Sequence, residues 1–198
     1  MHTPAHGGAA GQGAAATVPA RLGWTILCGI GGAAAVTLPC WLQGAQAGAG
    51  WGMLGLLAGA LHAASGHGRL HALACMAALA AGMSADFARV APYAMLAWCG
   101  AASPGLGELL FLAHLRWFPA TSLAMLALAW PAAFTARAWL VALLRGAAML
   151  AAMSLSMQGA RTLARLAGVD WSAAAMSGAM LAGMLLFLHA WPAARGAR

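Results

Sequence analysis

The stretch AMSGAMLAGMLLFLHAW, residues 175–191, runs for seventeen residues without one charged side chain. A helix crosses the hydrocarbon core of a bilayer with about 20 predominantly apolar residues, and about 17 to 25 are tolerated. Within the stretch, Met176, Met180 and Met184 recur at every fourth position. Because an α-helix turns once in about 3.6 residues, this spacing puts the three methionines on one face. The stretch therefore predicts a membrane-spanning helix that carries a methionine stripe.

A second methionine stripe lies in the preceding segment, RGAAMLAAMSLSMQGAR, residues 145–161, at Met149, Met153 and Met157. If the two segments are antiparallel neighbours, residue 153 is expected near the level of residues 176–180. Two facing rows of thioethers would suit Cu(I), which prefers soft sulfur ligands. The alternative is packing, because methionine fills irregular gaps between helices and any packed helix face has this period.

The composition of the whole chain predicts an all-α, polytopic transmembrane helix bundle. Hydrophobic residues make up 63% of the 198 residues, charged residues only 7%, and the mean hydropathy is +0.81. A soluble domain carries about 25% charged residues, which this chain lacks. The net charge of +7 comes from arginines spread singly between apolar segments. A nucleic-acid-binding face would cluster them, so no nucleic-acid partner is predicted.

Seven apolar segments are candidates for membrane spans: 22–42, 48–65, 70–85, 90–103, 118–135, 138–158 and 172–191. Two of them, 70–85 and 90–103, would reach only about 24 and 21 Å as helices, less than the roughly 30 Å core. The chain is therefore expected to have about seven membrane segments, or five plus a re-entrant hairpin. Tryptophans near the ends of several segments agree with these limits, because tryptophan is enriched at membrane interfaces.

The organisation of the chain is expected to be simple. Residues 1–21 form a flexible N-terminal tail without a basic signal-peptide region, residues 22–192 a single transmembrane domain, and residues 193–198 a short basic tail. Every basic residue is arginine, and lysine and asparagine are absent, which is typical of a GC-rich bacterial genome. We therefore expect a multi-pass protein of the bacterial inner membrane. Its partners are the lipid bilayer and either another membrane protein or a second copy of the chain.

Small residues recur in the first two predicted spans, as GIGGAAA at 29–35 and GLLAGA at 55–60. Glycine and alanine let transmembrane helices approach closely, so these segments are candidates for a tight helix pair. The codon bias towards alanine and glycine is the alternative explanation.

A metal-binding pattern occurs in HGRLHALAC, where His67, His71 and Cys75 follow one another at intervals of four. If the helix begins by residue 67, the three side chains share a face. A hairpin that turns near residues 87–88 would add Cys99 beside Cys75. Imidazole and thiolate are good ligands for copper and zinc, and the sulfur content favours Cu(I). Alternatively, the flanking glycines keep His67 in a loop, and the cysteines act as small hydrophobic residues.

Two other functions remain open. His62, His114 and His189 fall in or near separate helical segments, and two such histidines can hold the iron of a b-type haem. A non-catalytic accessory or assembly subunit of a larger membrane complex would use the methionines and small residues only as packing surface.

The few charged side chains inside the apolar segments are expected to be paired. Asp86 and Arg89 are three residues apart and predict a pair near a turn, whereas Arg145 is expected to reach Glu108 or Asp86, or to extend towards the nearer interface. Serines such as Ser154 have no base at a defined spacing. No nucleophile–base set is visible, and the sequence does not predict an enzyme.

Overall fold

The computed structural model describes residues 18–44, 49–65, 68–101, 113–129 and 135–191, of which all but the short connections are α-helical. These ranges contain eight helices: α1 (Val18–Leu42), α2 (Ala49–Ala64), α3 (Arg69–Arg89), α4 (Pro92–Ala101), α5 (Ala113–Trp117), α6 (Pro119–Leu128), α7 (Ala136–Leu166) and α8 (Ala173–Ala190). No β-strand occurs in the described ranges, and the predicted all-α class is confirmed.

Four helices, α1, α3, α7 and α8, are long and apolar enough to cross a membrane. The chain is accordingly compatible with an integral membrane protein, but the predicted number of about seven spans is not confirmed. At about 1.5 Å per residue, the 16 residues of α2 reach about 24 Å and the 10 residues of α4 only about 15 Å.

The predicted break at residues 86–89 is wrong, because α3 continues through it to Arg89. The charge of Asp86 does not end the helix, since its carboxylate finds partners on α6 inside the bundle. A single 21-residue span therefore replaces the first of the two short segments. The expected span at 118–135 is also shorter, since α6 ends at Leu128 and residues 130–134 lie outside the described ranges.

α1 and α2 pack with their backbones in contact along a glycine seam formed by Gly32, Gly55 and Gly59. A Cβ atom added at Gly32 would overlap the carbonyl oxygen of Gly55, and one added at Gly59 would overlap that of Cys28. Larger side chains would hold the helices apart, as the small-residue stretches predict. The first two helices therefore form a tightly packed hairpin.

α8 is the central helix of the bundle and packs against α1, α2, α3, α4 and α7. Of its most hydropathic 18-residue window, 72% is buried, against 39–50% in the other three long helices. The large exposed side chains on the outer helices are mostly leucines, such as Leu57, Leu61 and Leu140. An apolar exterior of this kind suits lipid rather than water.

Candidate functional site

The six methionines of the two predicted stripes all point into the bundle. Their exposed fractions are between 0 and 4%, at Met149, Met153 and Met157 on α7 and at Met176, Met180 and Met184 on α8. Four more methionines are buried nearby in the fold, namely Met76, Met83, Met95 and Met125. The interior is therefore rich in thioether sulfur, whereas Met53 on α2 is 60% exposed.

The register between α7 and α8 is set by Gly183. A Cβ atom at Gly183 would lie 2.5 Å from the carbonyl oxygen of Ala152 and 2.8 Å from the Cβ of Ser156. Because the helices are antiparallel, this contact places Met153 level with Met184. The sequence predicted residue 153 at the level of residues 176–180. The Gly183 contact shifts this alignment by about one to two helical turns, so that residue 153 lies level with Met184.

One turn further along, the same register places Met157 level with Met180, so two methionines of each stripe lie at common levels. Met149 and Met176 lie beyond these pairs, at opposite ends. Arg161, which is 8% exposed on α7, lies level with Met176. On α7, Met157 is one helical turn from Arg161, whereas Met153 is two turns from both Arg145 and Arg161.

His71 and Cys75 contact each other, as their spacing of four on one helix predicts. The Cys75 Sγ lies 3.7 Å from the Nε2 of His71, and a terminal nitrogen of Arg145 on α7 lies 3.3 Å from the same Nε2. The guanidinium donates to the nitrogen that would otherwise coordinate a metal. Arg145 thus contacts His71 and not the expected Asp86, and Glu108, the other expected partner, lies outside the described residues.

Two of the four predicted His/Cys ligands cannot be placed. His67 and the side chain of Cys99 lie outside the part of the chain that the structure describes. α3 begins at Arg69, after Gly68 in a left-handed conformation with φ 47°. The expected hairpin, which would bring Cys99 beside Cys75, is not supported, since α4 has its main packing contact with α8.

A second, unpredicted polar cluster joins α3 to the start of α6 through Asp86. Its carboxylate accepts hydrogen bonds from the backbone N–H groups of Ala120 (3.0 Å) and Thr121 (2.9 Å), and from the Thr121 hydroxyl (2.8 Å). These N–H groups belong to the first turn of a helix, where they have no intrahelical partner and where the helix dipole favours a negative charge. The predicted pair with Arg89 exists, but at 3.9 Å it is the weaker contact.

The cluster continues to His114 and Ser154, which link α5 to α7. The Ser154 hydroxyl lies 3.0 Å from the Nδ1 of His114, and the Ser122 hydroxyl donates to the backbone carbonyl of His114 at 3.3 Å. The sequence has no base at a defined spacing from Ser154, and the structure supplies one from 40 residues away. Both side chains are at most 2% exposed, so they contact the packed interior and not a water-borne substrate.

The three histidines considered for haem are on different helices: His62 on α2, His114 on α5 and His189 on α8. His62 and His114 are buried, whereas His189 is exposed. The Nδ1 of His114 is already engaged by Ser154, and its Nε2 has no hydrogen-bond partner among the described residues.

No group of three or more His, Cys, Asp or Glu side chains in the described ranges could hold a metal ion. This statement concerns His, Cys, Asp and Glu side chains only and does not include the sulfur atoms of methionine. In comparisons with known proteins, no family model, no curated protein and no solved structure matches this chain. The function must therefore be argued from the residues of this chain alone.

The Asp86 and His114 contacts had only one signal in the sequence, which is the rarity of such groups in an apolar chain. The chain has three acidic residues in all, and an ionisable residue inside a membrane segment is a functional or structural candidate by default. Ala120 and Thr121 are 34 and 35 residues from Asp86, and Ser154 is 40 residues from His114, so no local spacing identifies these partners.

Proposed function

We propose that this integral membrane protein binds Cu(I) between α7 and α8 through the facing thioethers of Met153, Met157, Met180 and Met184. The observation that supports the proposal is the register fixed by Gly183, which brings two methionines of each stripe to common levels in the buried interior. A soft monovalent cation is the partner that thioether sulfur selects. Thioethers stay uncharged and unprotonated at any pH, so binding needs no proton release.

The residues of α7 and α8 that lie level with the two proposed methionine pairs are uncharged, and the nearest charged side chain on α7 is Arg161, one turn beyond Met157. A cation transferred into an apolar interior is costly unless ligands replace its water shell. Four neutral sulfur atoms supply such ligands without adding a charge to the interior. The His71–Cys75 pair is the weaker candidate, because Arg145 puts a positive charge 3.3 Å from the imidazole nitrogen.

The experiment compares copper binding in two quadruple methionine-to-leucine variants of the full chain. M153L/M157L/M180L/M184L removes the proposed ligands, and M76L/M83L/M95L/M125L removes the same number of buried methionines elsewhere. Leucine matches the volume of methionine, so each exchange costs less than about 1.5 kcal/mol and both variants should fold. Copper per chain is measured by elemental analysis after anaerobic loading with Cu(I) and competition with a chelator.

The first variant should lose its bound copper and the second should keep it. If the two variants retain equal amounts of copper, or if the parent protein binds none, the methionines serve only to pack the core. That result would favour the alternative function, a non-catalytic accessory subunit of a larger membrane complex.

A further inference from the structure

A cavity of about 540 Å³ opens at the end of the bundle where α1 and α3 begin and α2 ends. Two arginines, Arg21 on α1 and Arg69 on α3, line it together with the hydroxyl-bearing residue Thr25. Two apolar residues, Val18 and Leu22, complete the α1 side and are 79% and 60% exposed. The cavity thus combines a cationic wall with an apolar outer edge at the boundary of the membrane.

The side chain of Arg69 is held in place by one of its own hydrogen bonds. Its Nε donates to the backbone carbonyl of Ala63 at 2.8 Å, across the connection between α2 and α3. Among the described residues, the two terminal amino groups of the guanidinium make no hydrogen bond and are available to another acceptor. A guanidinium fixed in this way recognises phosphate oxygens through two parallel hydrogen bonds.

Neither arginine has a carboxylate partner in the described ranges. The chain contains three acidic residues, of which Asp86 binds α6 and Asp170 lies just before α8, both towards the opposite end of the bundle. The third, Glu108, lies outside the described residues. Two like charges that share one cavity, with no counter-charge among the described residues, favour an anionic ligand.

The first turn of α3 adds to the positive field at the cavity. Arg69, the first residue of α3, lines it. A helix N-terminus carries a partial positive charge and unpaired N–H groups, which favour an anion. The arginines and the start of α3 therefore act in the same direction.

We propose that Arg21 and Arg69 bind the phosphate group of an anionic phospholipid at this end of the membrane span. The phosphate occupies the cavity between the guanidinium groups, and the acyl chains lie along the exposed apolar face of α1 at Leu22 and Ile26. Basic pockets between transmembrane helices are suited to the head groups of anionic lipids. The proposal does not depend on copper binding.

The test measures retention of dioleoylphosphatidylglycerol by the full chain in native mass spectrometry, with dioleoylphosphatidylcholine as the zwitterionic comparison. R21Q and R69Q should each weaken retention roughly fivefold, because a basic side chain near an anionic lipid contributes about that factor, and R21Q/R69Q should combine the losses. R21K/R69K keeps the charge but lacks the guanidinium fork, so it should retain more lipid than R21Q/R69Q and less than the parent. R89Q/R137Q removes two arginines elsewhere and should behave like the parent.

Two outcomes would overturn the proposal. Equal retention of phosphatidylglycerol by the parent and R21Q/R69Q would show that the arginines do not select the lipid. Arginine-dependent binding of inorganic phosphate, without selective retention of the lipid, would assign the cavity to a free anion instead. Folding of each variant is checked by far-ultraviolet circular dichroism, and R21Q remains informative if R69Q disturbs the α2–α3 connection.

Discussion

Asp86 on α3 accepts both the backbone N–H and the hydroxyl of Thr121, and so provides the first turn of α6 with an N-cap from another helix. No side chain at the start of α6 itself caps the helix, since its N-cap residue is Phe118. In lipid, no water is present to satisfy these N–H groups. The contact therefore stabilises both the negative charge of Asp86 on α3 and the N-terminus of α6.

Removing this carboxylate should destabilise the fold. Asp86→Ala leaves at least two buried N–H groups unpaired, and we expect a loss of about 2 to 4 kcal/mol in the free energy of unfolding. Asp86→Asn keeps one acceptor oxygen and should lose less. Unfolding is followed by circular dichroism during titration with sodium dodecyl sulfate in mixed micelles. Asp170→Asn, at an exposed position, is the control and should change stability by less than about 0.5 kcal/mol. Equal stability of D86A and the parent would disprove the capping role.

Gly82 should tolerate no larger residue, because it lies against the backbone of α6. A Cβ atom there would lie 2.5 Å from the Cα of Thr121, so Gly82→Ala must push α3 and α6 apart. We expect a loss of about 1 to 3 kcal/mol from this overpacking. The matched substitution is Gly159→Ala on α7, where a Cβ meets no atom within 4 Å.

Gly159→Ala should stabilise the protein by about 0.5 to 1 kcal/mol, because alanine loses less backbone entropy than glycine in a helix. The same titration in mixed micelles measures both variants. If Gly82→Ala and Gly159→Ala change the free energy of unfolding in the same direction, the close contact between α3 and α6 is contradicted.

The Ser154–His114 hydrogen bond should stabilise the fold, because its loss leaves a buried imidazole nitrogen without a partner. Ser154→Ala is expected to lower stability by about 1 to 3 kcal/mol, since Nδ1 of His114 then lies buried without a partner. Ser177→Ala is the control, because the Ser177 hydroxyl donates only to the carbonyl of Ala173 on its own helix. A double-mutant cycle with His114→Leu isolates the pairwise energy. Strict additivity of the two substitutions would argue against the bond.

The His71–Cys75 pair should not be the copper-holding site as long as Arg145 engages the imidazole. H71Q/C75S is therefore expected to retain the copper stoichiometry of the parent chain, in contrast to the quadruple stripe variant. Elemental analysis under the same loading conditions provides the comparison. If H71Q/C75S loses the metal instead, the His/Cys group holds it and the stripes are packing.

The helices and their inward faces follow from local features of the sequence. Trp41, Trp51, Trp171 and Trp191 lie within two residues of a helix end, as expected for interfacial tryptophan, and all six stripe methionines are buried. Period and composition are properties of a single helix, so they can be read without knowing its neighbours. Trp24 lies six residues inside α1 and therefore does not mark the end of that helix.

The polar contacts of the interior could not be predicted in the same way. Asp86 is 35 residues from Thr121, and Ser154 is 40 residues from His114. Such contacts depend on which helices are neighbours and on their register, which Gly82 and Gly183 fix by steric exclusion. The register error between the two stripes has this origin, because a repeat of four fits several antiparallel alignments equally well.

The glycine seam between α1 and α2 bears on the order in which the protein assembles. The two helices are joined by six residues, and their contact requires nothing from later parts of the chain. As synthesis proceeds from the N-terminus, this hairpin can reach its final geometry before α8 is made. The central helix then enters a scaffold already in place, and a bulky residue at Gly59 would damage biogenesis at its first step rather than at its last.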